Sequence, residues 1–209
     1  DYRDVTIENY LPMAEMMTER GYYAIRMGAV VKDRITSNDP MIIDYASNYR
    51  TDFLDVYLGA KCKFFIASTG GLWAIPGIFR RPIAHVNFVP MEQTTSSGSH
   101  DLYIPKRLWH RSQKRYLTYP EVFNLGISRF KNSDLYQGAD VEPVENTPED
   151  IAAVALEMDD RLNGTWLSND EDNDLQDKFW SHVKPDESFN TLVMPIGAMF
   201  LRQNKELLV

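Results

Sequence analysis

The sequence predicts an α/β fold: a mostly parallel sheet flanked by helices, followed by a helical C-terminal tail. Three observations carry this reading. Apolar runs rich in strand formers recur at residues 22–28, 41–45, 63–67 and 82–89. Stretches with helical spacing of apolar residues separate them, at 6–20, 51–60 and 70–79. The run Lys63-Phe64-Phe65-Ile66-Ala67 is nearly continuous rather than alternating, as in strands covered on both faces. Strands and helices alternating at this spacing build βαβ units, and so a Rossmann-like sheet.

Each element has a local reason. Residues 6–20 set Ile7, Leu11, Ala14 and Met17 on one stripe, with Thr6 and Asn9 as a weak start signal. Pro12 falls early enough to be tolerated, and Gly21 is placed to end the helix. A strand follows at 22–28. Pro40 precedes the short run Met41-Ile42-Ile43-Asp44-Tyr45. Residues 51–60 offer Phe53, Leu54, Val56, Tyr57 and Leu58 for packing. Gly70-Gly71 opens a helix that runs through Phe79 with Pro76 inside it, and 82–89 is the next strand.

The texture changes from residue 92. Thr94-Thr95-Ser96-Ser97-Gly98-Ser99 reads as a polar loop, and 118–126 as a short helix stopped by Gly126. Asn146-Thr147-Pro148-Glu149-Asp150 is a strong helix start, with a cap, a proline at the first position and acids in the first turn. That helix turns Ile151, Val154, Ala155, Met158 and Leu162 inward and stops at Asn163-Gly164. Residues 168–177 read as an acidic, solvated stretch, and a last helix spans 196–208. The expected division is a Rossmann-like domain over 1–140 and a helical extension over 141–209 packed on it.

Composition bounds the function. The chain has 209 residues, 44% apolar and 25% charged, enough to bury one core and far from the profile of a disordered chain. Its single cysteine, Cys62, excludes an intramolecular disulfide and a cysteine-rich zinc site. The histidines at 85, 100, 110 and 182 show no ligand spacing, so no metal is expected. His85 and Cys62 read as core residues. No apolar run reaches the ~20 residues of a membrane span.

The net charge of −8 is uneven: residues 1–140 carry 17 Lys/Arg against 15 Asp/Glu, residues 141–187 only 3 against 14. An acidic chain repels polyanions, so nucleic acid is not the expected partner. The near-neutral first two-thirds can still receive a small anion. The basic cluster Lys106, Arg107, Arg111, Lys114 and Arg115 reads as a solvated face, and the acidic stretch as the outer surface of the tail.

The stretch that points to chemistry is Phe64-Phe65-Ile66-Ala67-Ser68-Thr69-Gly70-Gly71. It sets two hydroxyls and two glycines where a parallel strand hands over to a helix. Ligands of open α/β sheets bind outside the carboxyl ends of the strands, and unpaired N–H groups at a helix start suit phosphate. Gly70 and Gly71 allow close approach of a pyrophosphate; a cap at Ser68 or Thr69 with a tight glycine turn explains the same residues without a ligand. The stretch is neither a P-loop, nor G-x-G-x-x-G, nor a G-x-S-x-G elbow.

Arg26, near a strand end and followed by Met27-Gly28, needs a partner for its charge: an internal salt bridge, or a diphosphate gripped by the guanidinium fork. Asp44 and Tyr45 end the next strand at the same sheet edge: Asp44 fits a base or a ribose contact, and Tyr45 either a ring stacked on ribose or base or a core tyrosine, which is the commoner use of the residue. Asp52 and Asp55, three apart on a helix, fit either a general base with its neighbour or acids serving the helix dipole.

Taken in order, these residues resemble a bacterial family of glycosyltransferases of surface-polysaccharide synthesis. The likeness runs through Tyr10-Leu11-Pro12, Gly21-Tyr22-Tyr23-Ala24-Ile25-Arg26-Met27-Gly28, Ile43-Asp44-Tyr45-Ala46, Arg50-Thr51-Asp52-Phe53 and Cys62 to Gly71. It continues through Ile104-Pro105-Lys106-Arg107-Leu108-Trp109, Glu145-Asn146-Thr147-Pro148-Glu149, Glu157-Met158-Asp159 and Phe200-Leu201-Arg202-Gln203-Asn204.

The resemblance implies the nucleotide-sugar-binding half of a GT-B fold, with Arg26, Gly28, Tyr45, Ser68, Thr69, Gly70 and Gly71 around the donor and Arg26, Ser68, Thr69 and Gly70 near its diphosphate. It implies transfer of a sugar from a nucleoside-diphosphate sugar to a glycan hydroxyl, with no bound metal, and a cytoplasmic place at or near the inner face of the membrane. Asp44 and Asp52 are the candidate bases. Members of that family carry a further strand ahead of the segment matching Tyr2-Arg3, and a first half beyond it, so the acceptor site is expected outside these residues, and so is the base unless Asp44 or Asp52 serves. A nucleotide-sugar epimerase of the same fold, or a non-catalytic sugar-nucleotide-binding module, are the other readings.

Overall fold

The computed structural model describes residues 1–93, 98, 100–183 and 194–209. The chain is α/β, with two small parallel sheets flanked by helices and one antiparallel sheet. The loop expected at 94–99 lies, apart from Gly98, outside the described residues.

The first helical stripe forms in two parts: a 3-10 turn over Ile7–Tyr10 and helix α1 (Leu11–Glu19), with Pro12 in the first turn. A proline there removes an amide that has no intrahelical partner in any case. Gly21, at φ +87°, turns the chain back. Strands β1 (Ala24–Ile25) and β2 (Ile42–Ile43) pair in parallel as a two-stranded sheet. Both are shorter than the runs expected at 22–28 and 41–45. Asp44 leaves β2 at once, because its carboxylate accepts from the Ser47 amide and caps the short helix α2 (Tyr45–Asn48).

Helix α3 (Asp52–Lys61) is capped by the Thr51 hydroxyl on the Leu54 amide, with Asp52 and Asp55 in its first turn and Lys61 in its last. A second parallel sheet runs β3-β4-β5, over Phe65–Ala67, Ile83–Phe88 and Leu102–Pro105. Between β3 and β4 lies α4 (Ala74–Ile78), which starts later than Gly70. β4 is buried along its whole length and is the middle of the core. The segment before α9 adds to the free edge of β5: the Tyr103 amide donates to Pro195 and the Gly197 amide to Tyr103.

Only Lys106 separates β5 from β6 (Arg107–His110), which pairs antiparallel with β7 (Arg115–Tyr116) on one side and β8 (Val141–Val144) on the other. Two short helices, α5 (Tyr119–Asn124) and α6 (Ser133–Gly138), fill the connection. The chain past residue 140 therefore opens on a strand, and that strand belongs to a sheet begun before the expected boundary.

Helix α7 (Pro148–Asn163) follows its sequence signal. Thr147 and Asp150 form a reciprocal capping box, Pro148 stands first, and Gly164 at φ +71° stops it. It buries Ile151, Val154, Ala155 and Met158 against α1, β4 and β5. Each large apolar side chain so covered contributes about 1.5–3 kcal/mol.

The stretch at 168–177, expected to be acidic and solvated, is mostly helix α8 (Asp170–Ser181), capped by Asn169 and holding Leu175 and Phe179 in the core. Its apolar residues are few, and Phe179 lies past the window read as acidic. Helix α9 (Ala198–Gln203) and a 3-10 turn over Lys205–Leu208 close the chain. Among the described residues no helix is long and apolar enough to cross a membrane.

The acidic segment is not simply an outer surface. Asp150 pairs with Arg107, Glu157 with Arg161 and the Ala198 amide, Asp159 with Arg20 and the Tyr22 hydroxyl, and Asp172 with Arg202, all four acids being buried. The basic cluster also divides. Lys106 is buried, Arg107 is half-buried on Asp150, and Arg111 and Arg115 make exposed pairs with Glu142 and Glu121.

Candidate functional site

A cleft of about 1080 Å³ opens between the two parallel sheets. One wall is the β1 segment, residues 22–28; the other is the β3 segment, residues 62–68. Leu11, Ala14 and Met17 of α1 contribute to its lining, as do Leu58 and Lys61 of α3. Arg26 stands one residue beyond β1 and Ser68 one beyond β3, so both sit where the strands release the chain. Gly28 lines the same cleft, and a Cβ there would meet Val31 at 2.9 Å.

Arg26, Gly28 and Ser68 therefore share one space. The Arg26 guanidinium is largely enclosed and already engaged: it donates to the Asp33 carbonyl at 2.5 Å and faces the Asp44 carboxylate at 3.5 Å. Desolvation pushes the Asp44 carboxyl up. Hydrogen bonds from the Ile35 and Ser47 groups and the Arg26 charge outweigh it, so the carboxyl sits below its ordinary range. Asp44 is thus a cap and a counter-ion.

The other expected residues are not among those lining the cleft. The Tyr45 ring is buried; its hydroxyl donates to Asp55 at 2.8 Å and takes the Thr51 amide at 3.0 Å, tying α2 to the start of α3. Burial raises its pKa. Asp52 is exposed and paired with Arg50 at 3.0 Å. The Thr69 hydroxyl is spent on the end of β4, donating to the Val89 carbonyl at 2.9 Å and accepting its amide at 3.0 Å. Gly70 and Gly71 lie exposed in the bend before α4, with open space at Gly71.

Several further groups near the cleft were not read from the sequence as site residues. The Tyr10 hydroxyl, beside Ser68, accepts from the Asn87 amide at 3.0 Å, and burial pushes its pKa up to about 12. Asn87, at φ +54°, exchanges two hydrogen bonds with Asn146, each 2.5 Å, and Asn146 reaches on to the Pro105 carbonyl. An asparagine tolerates that left-handed backbone better than most residues. Glu145, on the cleft wall, gathers the Thr6 amide and hydroxyl and the Asn9 side chain. Lys106 reaches the Tyr2 and Asp4 carbonyls at 3.1 and 2.7 Å, and burial lowers its pKa. All these contacts join residues 41 or more apart in sequence.

His85 lies in the core as expected, with Trp73 and Phe88 edge to face against it. Cys62 is half-buried on the cleft wall, its thiol pushed up by burial. Among the described residues no group of three or more His, Cys, Asp or Glu is placed to hold a metal ion. Comparison with protein-family models, curated proteins and solved structures finds no match for this chain.

Proposed function

We propose that this chain is the donor-binding part of a glycosyltransferase that uses a nucleoside-diphosphate sugar, one half of a GT-B fold. The observation that carries the reading is the meeting of Arg26, Gly28 and Ser68 on one cleft, each just past the carboxyl end of a parallel strand. That is where open α/β sheets bind nucleotides. The sequence likeness adds the reaction class.

In that reaction the acceptor oxygen bonds to the anomeric carbon, the bond to the diphosphate breaks with its electron pair on the leaving oxygen, and a base takes the acceptor proton. Arg26 is the group of this chain that would meet the charge developing on the diphosphate. Its ties to Asp33 and Asp44 preset the fork and must partly yield to the ligand. Asp44, held as a cap, and Asp52, outside the cleft lining, leave the base to residues elsewhere, on the opposing half of the enzyme. The donor is cytoplasmic, so the reading places the enzyme there, near the inner face of the membrane.

Calorimetry with UDP, GDP, CDP and TDP tests this. One of them should bind, and Arg26→Ala should weaken that binding by more than tenfold, since a charge-assisted hydrogen bond contributes about 1.5–3 kcal/mol. No binding by the folded protein, or equal affinity in a folded Arg26→Ala variant, would overturn the reading. Released nucleotide against an isomerised sugar nucleotide separates transfer from epimerisation.

A further inference from the structure

The chain between β1 and β2 forms no helix or strand, yet it is fastened at defined points. It leaves β1 at the carboxyl end, and Val30, Val31, Lys32, Asp33 and Ile35 all contribute to the cleft lining. Two ties hold it there. The Arg26 guanidinium donates to the Asp33 carbonyl at 2.5 Å, and the Ile35 amide donates to the Asp44 carboxylate at 3.0 Å. Arg26 and Asp44 face each other at 3.5 Å with both side chains largely enclosed, so the two ties share one ion pair. The segment also folds back on its own root: Val31 lies so near Gly28 that a Cβ there would meet it at 2.9 Å. Between the ties it is open to solvent. Val30 is 96% exposed, and Lys32, Asp33 and Arg34 are exposed as well.

These contacts set up a competition for one group. The same guanidinium nitrogen, Nη1, holds the Asp33 carbonyl and faces Asp44. An anion gripped by both arms of the fork must draw that nitrogen off the carbonyl. A carbonyl oxygen offers a partial charge, whereas a phosphate offers whole charges and paired acceptors that match the fork, so the exchange favours the phosphate. A ligand moves a conformational equilibrium only as far as it prefers one state over the other. Here the preference has a named source: Arg26 is free for the anion only when it has released Asp33.

We infer that residues 27–35 are a strap latched against the cleft by Arg26, and that a phosphate-bearing ligand opens it by taking the guanidinium from Asp33. The latch stands on the geometry alone; the identity of its ligand rests on the nucleoside-diphosphate reading above. In the latched state Asp44 neutralises Arg26 and the strap lies along the cleft. In the released state the fork turns to the anion, and the strap keeps only its Ile35 tie to Asp44. That second tie is separable from the helix cap. One Asp44 oxygen takes the Ser47 amide and the other takes Ile35 and faces Arg26. An asparagine has a single oxygen, which can serve the cap or the strap but not both.

Limited trypsin digestion tests this, because its cleavage points after Lys32 and Arg34 bracket Asp33. Cleavage of a folded protein needs the segment to open locally, so its rate follows the open population. Saturating inorganic pyrophosphate, with its binding measured in parallel by calorimetry, should speed cleavage at these two bonds on the order of tenfold, the equivalent of one charge-assisted hydrogen bond. Arg26→Ala should be cleaved about as fast without pyrophosphate and should no longer respond to it, and Asp44→Asn should also be cleaved faster. Wild-type cleavage rates in a folded Arg26→Ala variant would overturn the latch. Pyrophosphate that binds but leaves the rate unchanged, or slows it, would overturn the ligand-driven opening and leave the proposed function standing. Pyrophosphate that does not bind at all would remove that opening together with the proposed function.

Discussion

Acid should reveal the cost of burying His85. The residue is 1% exposed, and neither ring nitrogen has a hydrogen-bond partner among the described residues. Trp73 and Phe88 stand edge to face against the ring at 5.5 and 5.2 Å. Burial therefore pushes the pKa from 6.5 down to about 4, with Asp101 pulling the other way. The unfolded chain takes up this proton near pH 6.5, the folded chain only near pH 4. Between those values the unfolded state binds more protons, so stability rises with pH and is lost as pH falls. At about 1.4 kcal/mol per pH unit across the window, going from pH 7 to pH 4.5 should remove about 2 kcal/mol through this residue. Urea unfolding at pH 7, 5.5 and 4.5 measures it, with His85→Phe as the reference because it keeps a ring of similar size without a titrating group. Carboxylates held low by partners, such as Glu121 beside Arg115 at about 2, give way at lower pH and cancel in the difference. Parallel pH profiles for the two proteins would refute the reasoning.

Two further substitutions probe the packing around the tail. Gly197→Ala places a Cβ 2.9 Å from Ile104 Cγ2 and 3.3 Å from Val154 Cγ2, where β5, α7 and α9 converge; it should cost about 1–3 kcal/mol in urea unfolding, and an unchanged midpoint would show that the junction can relax. Asp172→Ala removes a two-bond grip on Arg202, 2.7 Å at each contact, and one side of the α8 capping box; a loss of about 2–4 kcal/mol is expected, and a loss under 0.5 would mean that solvent screens the half-exposed arginine.

Local signals were read well where a few adjacent residues settle the matter. The cap at Thr147, the stops at Gly21, Gly126 and Gly164, and the apolar run of β4 all work within a turn or a strand, so spacing and residue type suffice. Asn169 capping Asp172 is an equally local signal, yet α8 was missed because its core contacts, Leu175 and Phe179, are sparse within an acidic run. At the cleft, Ser68 and Arg26 were visible because they follow apolar runs. Thr69 and Tyr45 looked the same in sequence, and only their partners, Val89 and Asp55, separate them from the cleft.

By itself, then, the sequence determined the alternation of helices and parallel strands and which strand ends carry polar groups. Those properties follow from propensity, capping and hydrophobic period, all short-range. The tertiary structure alone decided which charges are counter-ions rather than ligands. Arg26 and Asp44 lie 18 residues apart and Asp159 and Arg20 139 apart, and a charge becomes buried or free only when the chain closes around it. It also decided that the β1 and β3 segments line one cleft, because the meeting of two sheets is a relation between segments that no single segment encodes.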